Sequence, residues 1–334
     1  MTLKLDVGIV AIGRNEGERL RRCLLSLVNY SNHIVYVDSG STDESKAIAQ
    51  SLSIDVVDLD LSIPFTAARA RNTGLDHLLK INPQLQFVQF VDGDCEVVEG
   101  WLEKAYQHLQ AHPELAVVSG RRRERFPEKT IYNRLCDMEW DTPVGESKYC
   151  GGDAMMRISA LRQVEGYNPS IIAGEEPELC VRLRQKGWKI WRIDAEMTRH
   201  DAQMLEFRQW WKRTIRNGHA YAEGAYLHGK PPEKHWLKES RSIWLWGLII
   251  PLLSITPVGL TQGWSLILLA AYPLLTYRIY KSKYKQGLSS QDALLYAIFC
   301  LIGKFPQLQG QIQFHVNRLL GKQNRLIEYK LSPN

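Results

Sequence analysis

A chain of 334 residues with 42 Lys+Arg against 36 Asp+Glu is longer than most single domains, so one large domain with an appendage is expected. Residues 204–334 hold 17 Lys+Arg and 6 Asp+Glu, net +11, which leaves −5 of the total of +6 for residues 1–203. An acidic head with a basic tail that also carries long apolar runs fits an anionic membrane surface and excludes a nucleic-acid-binding tail, and six scattered cysteines without a C-x-x-C pair exclude a secreted disulfide scaffold.

Residues 1–6 lead straight into a strand pattern, with no signal peptide. Residues 7–12 (Val-Gly-Ile-Val-Ala-Ile) form an apolar strand, followed by Gly13-Arg14-Asn15-Glu16 and a helix with Leu20, Cys23, Leu24 and Leu27 on one face. A second strand over 33–37 runs into Asp38-Ser39-Gly40-Ser41-Thr42-Asp43, whose Ser and Asp suit the N-cap of a helix over about 44–52. A third strand, 54–59, precedes a helix over 67–80 with Arg69, Arg71 and Asn72 in its first turns. The fourth strand, 87–91, is short, β-branched and aromatic, and it ends in Asp92-Gly93-Asp94. This alternation predicts an α/β fold with a mostly parallel sheet. In such sheets ligands bind beyond the C-terminal strand tips. Two carboxylates one residue apart repel unless a cation neutralises them, and an oxygen-rich site beside phosphates suits Mg²⁺ or Mn²⁺. An ordinary Asp-Gly-Asp turn is the structural alternative. The chain has no G-x-G-x-x-G and no G-x-x-x-x-G-K-[ST], which argues against dehydrogenases and P-loop ATPases.

Beyond a helix over 101–112 and a strand over 115–120, Arg121-Arg122-Arg123 reads as a solvated face. Residues 124–148 form an excursion, and 150–156 a strand entered through Gly151-Gly152, with Asp153 beside them. Gly174-Glu175-Glu176-Pro177-Glu178-Leu179 opens a helix reaching 184; acids in a first turn also complement the helix dipole, so a structural reading stands beside a chemical one. A strand over 187–193 leads to Met197-Thr198-Arg199-His200-Asp201, the end of the head.

In the appendage, a helix over 205–226 interleaves aromatic with basic residues, as at a membrane interface or against the head. Residues 243–260 and 264–279 are apolar runs flanked by Lys238 and Arg241 before and Arg278, Lys281, Lys283 and Lys285 after. These predict a transmembrane hairpin with both ends and the head on the cytosolic side of the cell's inner membrane. Pro251, Pro257 and Pro273 leave a re-entrant pair as the alternative, and 293–303 reads as interfacial. The expected organisation is a catalytic domain over 1–203, an interfacial linker over 204–241, and a membrane hairpin with amphipathic helices over 242–334.

The segments Val10-Ala11-Ile12-Gly13-Arg14-Asn15-Glu16, Val37-Asp38-Ser39-Gly40-Ser41-Thr42-Asp43, Ala70-Arg71-Asn72-Thr73-Gly74 and Val91-Asp92-Gly93-Asp94 together resemble the family 2 glycosyltransferases of the GT-A fold over roughly residues 5–203. The resemblance implies that Asp38, Asn15 and Glu16 line the nucleoside pocket, that Arg71 meets the pyrophosphate or sugar, and that Asp92 faces the ribose and sugar. Gly152 and Asp153 would reach the donor, and Asp94 with His200 would hold Mn²⁺ or Mg²⁺. Glu176 matches the family's catalytic base, with Glu in place of the usual Asp and Glu175 as the fallback. The implied activity is inverting, metal-dependent transfer of a sugar from a nucleotide diphosphate, with UDP expected, to a hydroxyl of a lipid-linked saccharide in surface polysaccharide synthesis. Alternatives are a polyisoprenyl phosphate acceptor, a nucleotide-sugar-binding scaffold without turnover, and a nucleotidyltransferase. The last should bear a Gly-rich N-terminal loop that residues 13–16 lack.

Overall fold

The computed structural model describes residues 5–322 and 326–328, so the remaining ends of the expected 1–203 and 242–334 regions lie outside the described residues. The chain divides after Met204 into two compact units.

In the first unit the strands are β1 (Val7–Gly13), β2 (His33–Asp38), β3 (Asp55–Asp58), β4 (Phe87–Asp92), β5 (Cys95–Val97), β6 (Leu115–Glu124), β7 (Gly145–Ser147), β8 (Ala154–Arg157) and β9 (Lys189–His200). The helices are α1 (Glu18–Leu25), α2 (Ser45–Ser51), α3 (Ala67–Ile81), α4 (Trp101–Ala111), α5 (Ile131–Glu139), α6 (Ile158–Gln163) and α7 (Glu175–Gln185). Among the described residues the strands join in one sheet of order β3-β2-β1-β4-β8-β6-β9-β5, with β7 paired to β9. Pairing is parallel from β3 through β4, whereas β8 runs antiparallel to both β4 and β6. Strand periodicity sends alternate residues to opposite faces. Val10, Val88 and Phe90 meet Leu75 and Leu78 of α3, Leu161 of α6 and Leu179 of α7, while Val7, Ile9, Phe87 and Val91 meet Leu27, just past α1, and Trp101 and Leu109 of α4. Gln89, polar in the middle of β4, is fully buried and satisfied: it accepts from Trp101 Nε1 at 3.0 Å and donates to the Phe90 carbonyl at 2.7 Å.

Register collects the chemistry at one edge. Gly13 lies opposite Asp38, and Ile12 opposite Asp92. Phe90 pairs with Ala154, so the Gly152-Asp153 entry to β8 reaches the same tips. The long β9 returns His200 opposite both Cys95 and Glu124.

Three expectations change here. First, the three arginines are no solvated face: β6 continues through Glu124, with irregular register against β9 between Ser119 and Arg122. Second, the apolar runs are not spanning helices. The second unit holds α8 (Phe207–His228), α9 (Leu237–Trp244), α10 (Ile250–Ile255), α11 (Ala271–Lys285), α12 (Ser290–Ile302) and α13 (Lys304–Leu319). A π-helical turn at Leu245–Ile249 and a 3₁₀ segment at Trp264–Ala270 interrupt the apolar stretch, and among the described residues no helix is long and apolar enough to cross a membrane. Nor is 204–241 a separate linker. Its helix α8 crosses α13 so closely that a Cβ on Gly218 would come within 2.0 Å of the Gln307 carbonyl, and one on Gly310 within 2.0 Å of the Ile215 carbonyl. Only glycine permits that approach.

Candidate active site

Four carboxylates converge on one buried guanidinium pair. Arg71, from the first turns of α3, is 2% exposed and reaches Asp92 Oδ1 at 2.8 Å, Glu175 Oε1 at 3.0 Å and Glu176 Oε1 at 2.9 Å. Arg122, from β6, reaches Asp153 Oδ2 at 2.7 Å and Asp92 Oδ2 at 3.3 Å. The two glutamates begin α7, whose N-cap Gly174 has φ 81°, a left-handed conformation that glycine adopts without strain. A helix N-terminus stabilises their negative charge.

Burial and the neighbouring Glu175 push the Glu176 carboxyl up to about 7 against the pull of Arg71. Burial would also raise Asp92, but Arg71 and then Arg122 hold its carboxyl below the usual range. Arg71 and Arg122, with burial acting against them, are held firmly charged by these acids.

The geometry revises several expected roles. The donors of Arg71 on Nη1 and Nη2 are committed to three acids, which makes Arg71 a clamp on acidic side chains and leaves no open face for a pyrophosphate. Asp153 is 0% exposed: it accepts from the Asp92 backbone N–H at 3.0 Å and from Thr198 Oγ1 at 2.8 Å, and it pairs with Arg122. Asp153 therefore braces Asp92 and offers no surface of its own to a donor. Asp38 is likewise buried, its carboxylate shaping the following loop by accepting from Tyr36 Oη at 2.9 Å and from the N–H groups of Gly40 at 3.0 Å and Ser41 at 2.8 Å. Asn15 zips the first two loops together, its Oδ1 accepting from the Thr42 N–H at 2.7 Å and its own N–H donating to Ser41 Oγ at 2.9 Å. The buried Glu16 pairs with Arg19 at 2.8 Å.

Arg122 and Glu124 escaped the sequence reading. Strand alternation carried past Gly120 would have found the first: Arg121 and Arg123 share Asp137 on one side, while Arg122 turns to the acid cluster on the other.

Gly152 lies against this cluster. A Cβ there would sit 2.5 Å from Arg71 Nη2, 2.8 Å from Asp92 Oδ2 and 3.1 Å from Glu176 Oε1. Gly152→Ala should displace these groups and lower kcat about a hundredfold, the cost of misplacing reacting groups by about 1 Å. Circular dichroism should stay unchanged; full activity would show that the clamp tolerates movement.

On the other side of Asp92, Asp94 Oδ2 lies 3.0 Å from His200 Nε2, both buried, with Cys95 near enough to join them. Adjacent vertices of an octahedron with bonds of ~2.1 Å are about 3.0 Å apart, so the Asp94–His200 pair fits Mg²⁺ or Mn²⁺. His200 Nδ1 faces Glu124 Oε2 at 3.7 Å, the carboxylate support that histidine ligands commonly have. A second cluster, Asp92, Cys95 and Asp153, is already neutralised by Arg122 and is the poorer candidate. Burial depresses the His200 imidazole, but Asp94 and Glu124 together outweigh it and raise it to about 9. A ligating histidine must be neutral. Mn²⁺ binding near pH 7 should therefore release a proton, and affinity should climb with pH up to about 9. Titration calorimetry in buffers of different ionisation enthalpy measures this, and pH-independent affinity would remove His200 from the ligand set.

Residues 9–163 match the family model described as Glycosyl transferase family 2. The chain is 27% identical over 239 residues to the pre-mycofactocin glycosyltransferase of Mycobacterium tuberculosis, covering 67% of this chain and 48% of that protein. It is 27% identical over 188 residues to the succinoglycan biosynthesis protein ExoA of Rhizobium meliloti, covering 53% of this chain and 55% of that one. The chain thus spans about half the length of these relatives. Among solved structures, the mannosyltransferase PcManGT of Pyrobaculum calidifontis, in complex with GDP-Man and Mn²⁺, superposes with a TM-score of 0.61 at 17% identity, covering 95% of this chain and 89% of that one. That likeness is one of fold.

Proposed function

We propose, from the premise that residues 9–163 form a family 2 glycosyltransferase domain, that this chain moves a sugar from a nucleotide diphosphate to a hydroxyl of a lipid-linked saccharide, with inversion at the anomeric carbon. What carries the reading is a run of acids and their partners, Glu176–Arg71–Asp92 and then Asp94–His200, in which Asp92 touches Arg71 and Asp94 stands two residues further along the chain. A candidate base and a candidate cation site thereby share one polar cluster.

In this reaction the acceptor oxygen forms its bond to the anomeric carbon as the bond to the diphosphate breaks, and the leaving nucleotide keeps the electron pair. Glu176, ionised, takes the acceptor proton. Arg71 holds that carboxylate in place and, with Glu175 and Asp92, fixes its direction. Asp94 and His200 would hold a divalent cation, which when bound neutralises charge on the leaving diphosphate. UDP is the expected nucleotide; GDP-sugars belong in any screen because the fold neighbour from Pyrobaculum calidifontis was captured with GDP-Man. The basic, apolar second unit supports attachment to the cytoplasmic face of the inner membrane, and with it a membrane-held acceptor in surface polysaccharide assembly.

The test is to incubate the purified full chain with UDP-, GDP- and dTDP-sugars, Mn²⁺ and a lipid extract of the source organism, reading labelled lipid. Labelled product expected with one donor class supports the reading. Calorimetric donor binding with no transfer or hydrolysis across many acceptors would instead favour a binding scaffold.

A further inference from the structure

We propose that residues 245–285 form a hairpin that inserts into one leaflet of an anionic bilayer without crossing it. The inference deepens the membrane attachment proposed above and does not depend on sugar transfer.

The hairpin presents its apolar residues outward. Leu260 at the turn is 92% exposed, Trp264 74% and Ile255 63%, and α11 buries no residue. Contiguous apolar exposure of this kind marks an interaction surface. The hydroxyls of its serines and threonines are satisfied by the backbone. Each serine and threonine between residues 245 and 279 donates to a backbone carbonyl: Ser254 to Ile250 at 2.7 Å, Thr256 to Leu252 at 2.7 Å, Thr261 to Pro257 at 2.9 Å, Ser265 across the hairpin to Ser254 at 2.8 Å, and Thr276 to Tyr272 at 3.0 Å. Tyr272 Oη does the same across the hairpin, to the Trp246 carbonyl at 2.6 Å. Exposed apolar residues with hydroxyls bonded to backbone carbonyls suit hydrocarbon, since it offers no partner to a free donor.

Charge names the lipid. Residues 240–291 contain no Asp or Glu, and their cations lie only at the two ends, Arg241 on one and Arg278, Lys281, Lys283 and Lys285 on the other. Apolar tip and cationic rim complement an acyl layer beneath anionic headgroups, where each nearby cation contributes about 1 kcal/mol. Length sets the depth. The rising limb over 245–255, at ~1.5 Å per residue, reaches about 16 Å, about half of a ~30 Å hydrocarbon core. Gly263, with φ 89°, then turns the chain back.

The experiment uses the full chain and sealed vesicles of phosphatidylcholine with or without phosphatidylglycerol. Flotation should show binding to the anionic vesicles that persists in high salt once inserted. Leu260→Asp with Trp264→Asp, at exposed positions, should weaken it about a hundredfold; Lys281→Gln with Lys285→Gln should weaken it about thirtyfold and only on anionic vesicles. A Leu260→Cys chain in a Cys300→Ser background, bound to the vesicles, should resist an impermeant thiol reagent added outside or trapped inside, and react once detergent is added. Labelling from inside would show a crossing hairpin, and labelling from outside an uninserted one; either overturns the proposal. Absence of vesicle binding, with or without self-association of the chain through this face, overturns it too.

Discussion

Glu176→Gln should reduce sugar transfer by about 10²–10⁴-fold, the usual contribution of a general base, while donor binding measured by calorimetry stays within a few fold. The amide keeps the shape of the carboxyl and can still accept from Arg71 Nη2, now 2.9 Å from Oε1, but it cannot take a proton. The pH profile separates lost chemistry from lost structure. Burial and Glu175 hold the Glu176 carboxyl near 7, up from an ordinary 4.5, so wild-type kcat/KM should rise with pH through about 7 as the base ionises. The variant should lose that limb. Linkage gives a second readout: a carboxyl raised in the folded state contributes stability below 4.5 that is lost as pH rises through about 7. Glu176→Gln should therefore flatten the stability profile across that window. Transfer that survives the substitution would mean an acceptor oxygen already ionised, and the polyisoprenyl phosphate reading would replace the hydroxyl one.

Much of the first unit was legible because its signals are local. Short apolar runs in β1, β2 and β4 announce strands, and the acids at their ends, Asp38 and Asp92 with Asp94 just beyond, mark the ligand edge without any knowledge of pairing. Partnership is what single-residue reading misses. Arg71 was assigned to a ligand because its position suggests one, yet its burial under Asp92, Glu175 and Glu176 depends on α7, more than a hundred residues away. Arg122 was hidden by its neighbours: three arginines in a row look solvated until β6 is extended through them, when alternation turns Arg122 to the face that carries the acid cluster. Asp153 reads as a donor contact beside a Gly pair, but antiparallel pairing of β8 with β4 turns its carboxylate onto the Asp92 backbone. In the second unit, hydropathy saw the apolar runs and not their breaks. Such a window counts residues and is blind to the π turn at Leu245–Ile249 and the 3₁₀ segment at Trp264–Ala270 that shorten each helix.

Arg71→Met should be the most destabilising single change in the acid cluster, costing about 3–5 kcal/mol, as expected when one partner of a buried ion pair is removed and the other charges remain. At about 2–4 °C per kcal/mol for a domain of this size, the melting temperature should fall by about 10 °C. Methionine fills much of the vacated volume, so the loss would report charge more than a cavity. The three acids would then face one another with only Arg122, which reaches Asp92, to offset them, and their mutual repulsion should raise their proton affinity. Lower pH should accordingly restore part of the variant's stability, the opposite of the acid sensitivity that a buried, salt-bridged carboxylate gives the wild type through Asp92. Adding Glu176→Gln to Arg71→Met removes one of the stranded charges. Because Arg71 and Glu176 are in direct contact, the double variant should be more stable than the sum of the two single losses allows, by about 1–3 kcal/mol. Strict additivity in chemical denaturation, or a loss under about 1 kcal/mol for Arg71→Met alone, would mean that the acids are neutralised by something other than this arginine, and the positioning of the base would have to be sought elsewhere in α7.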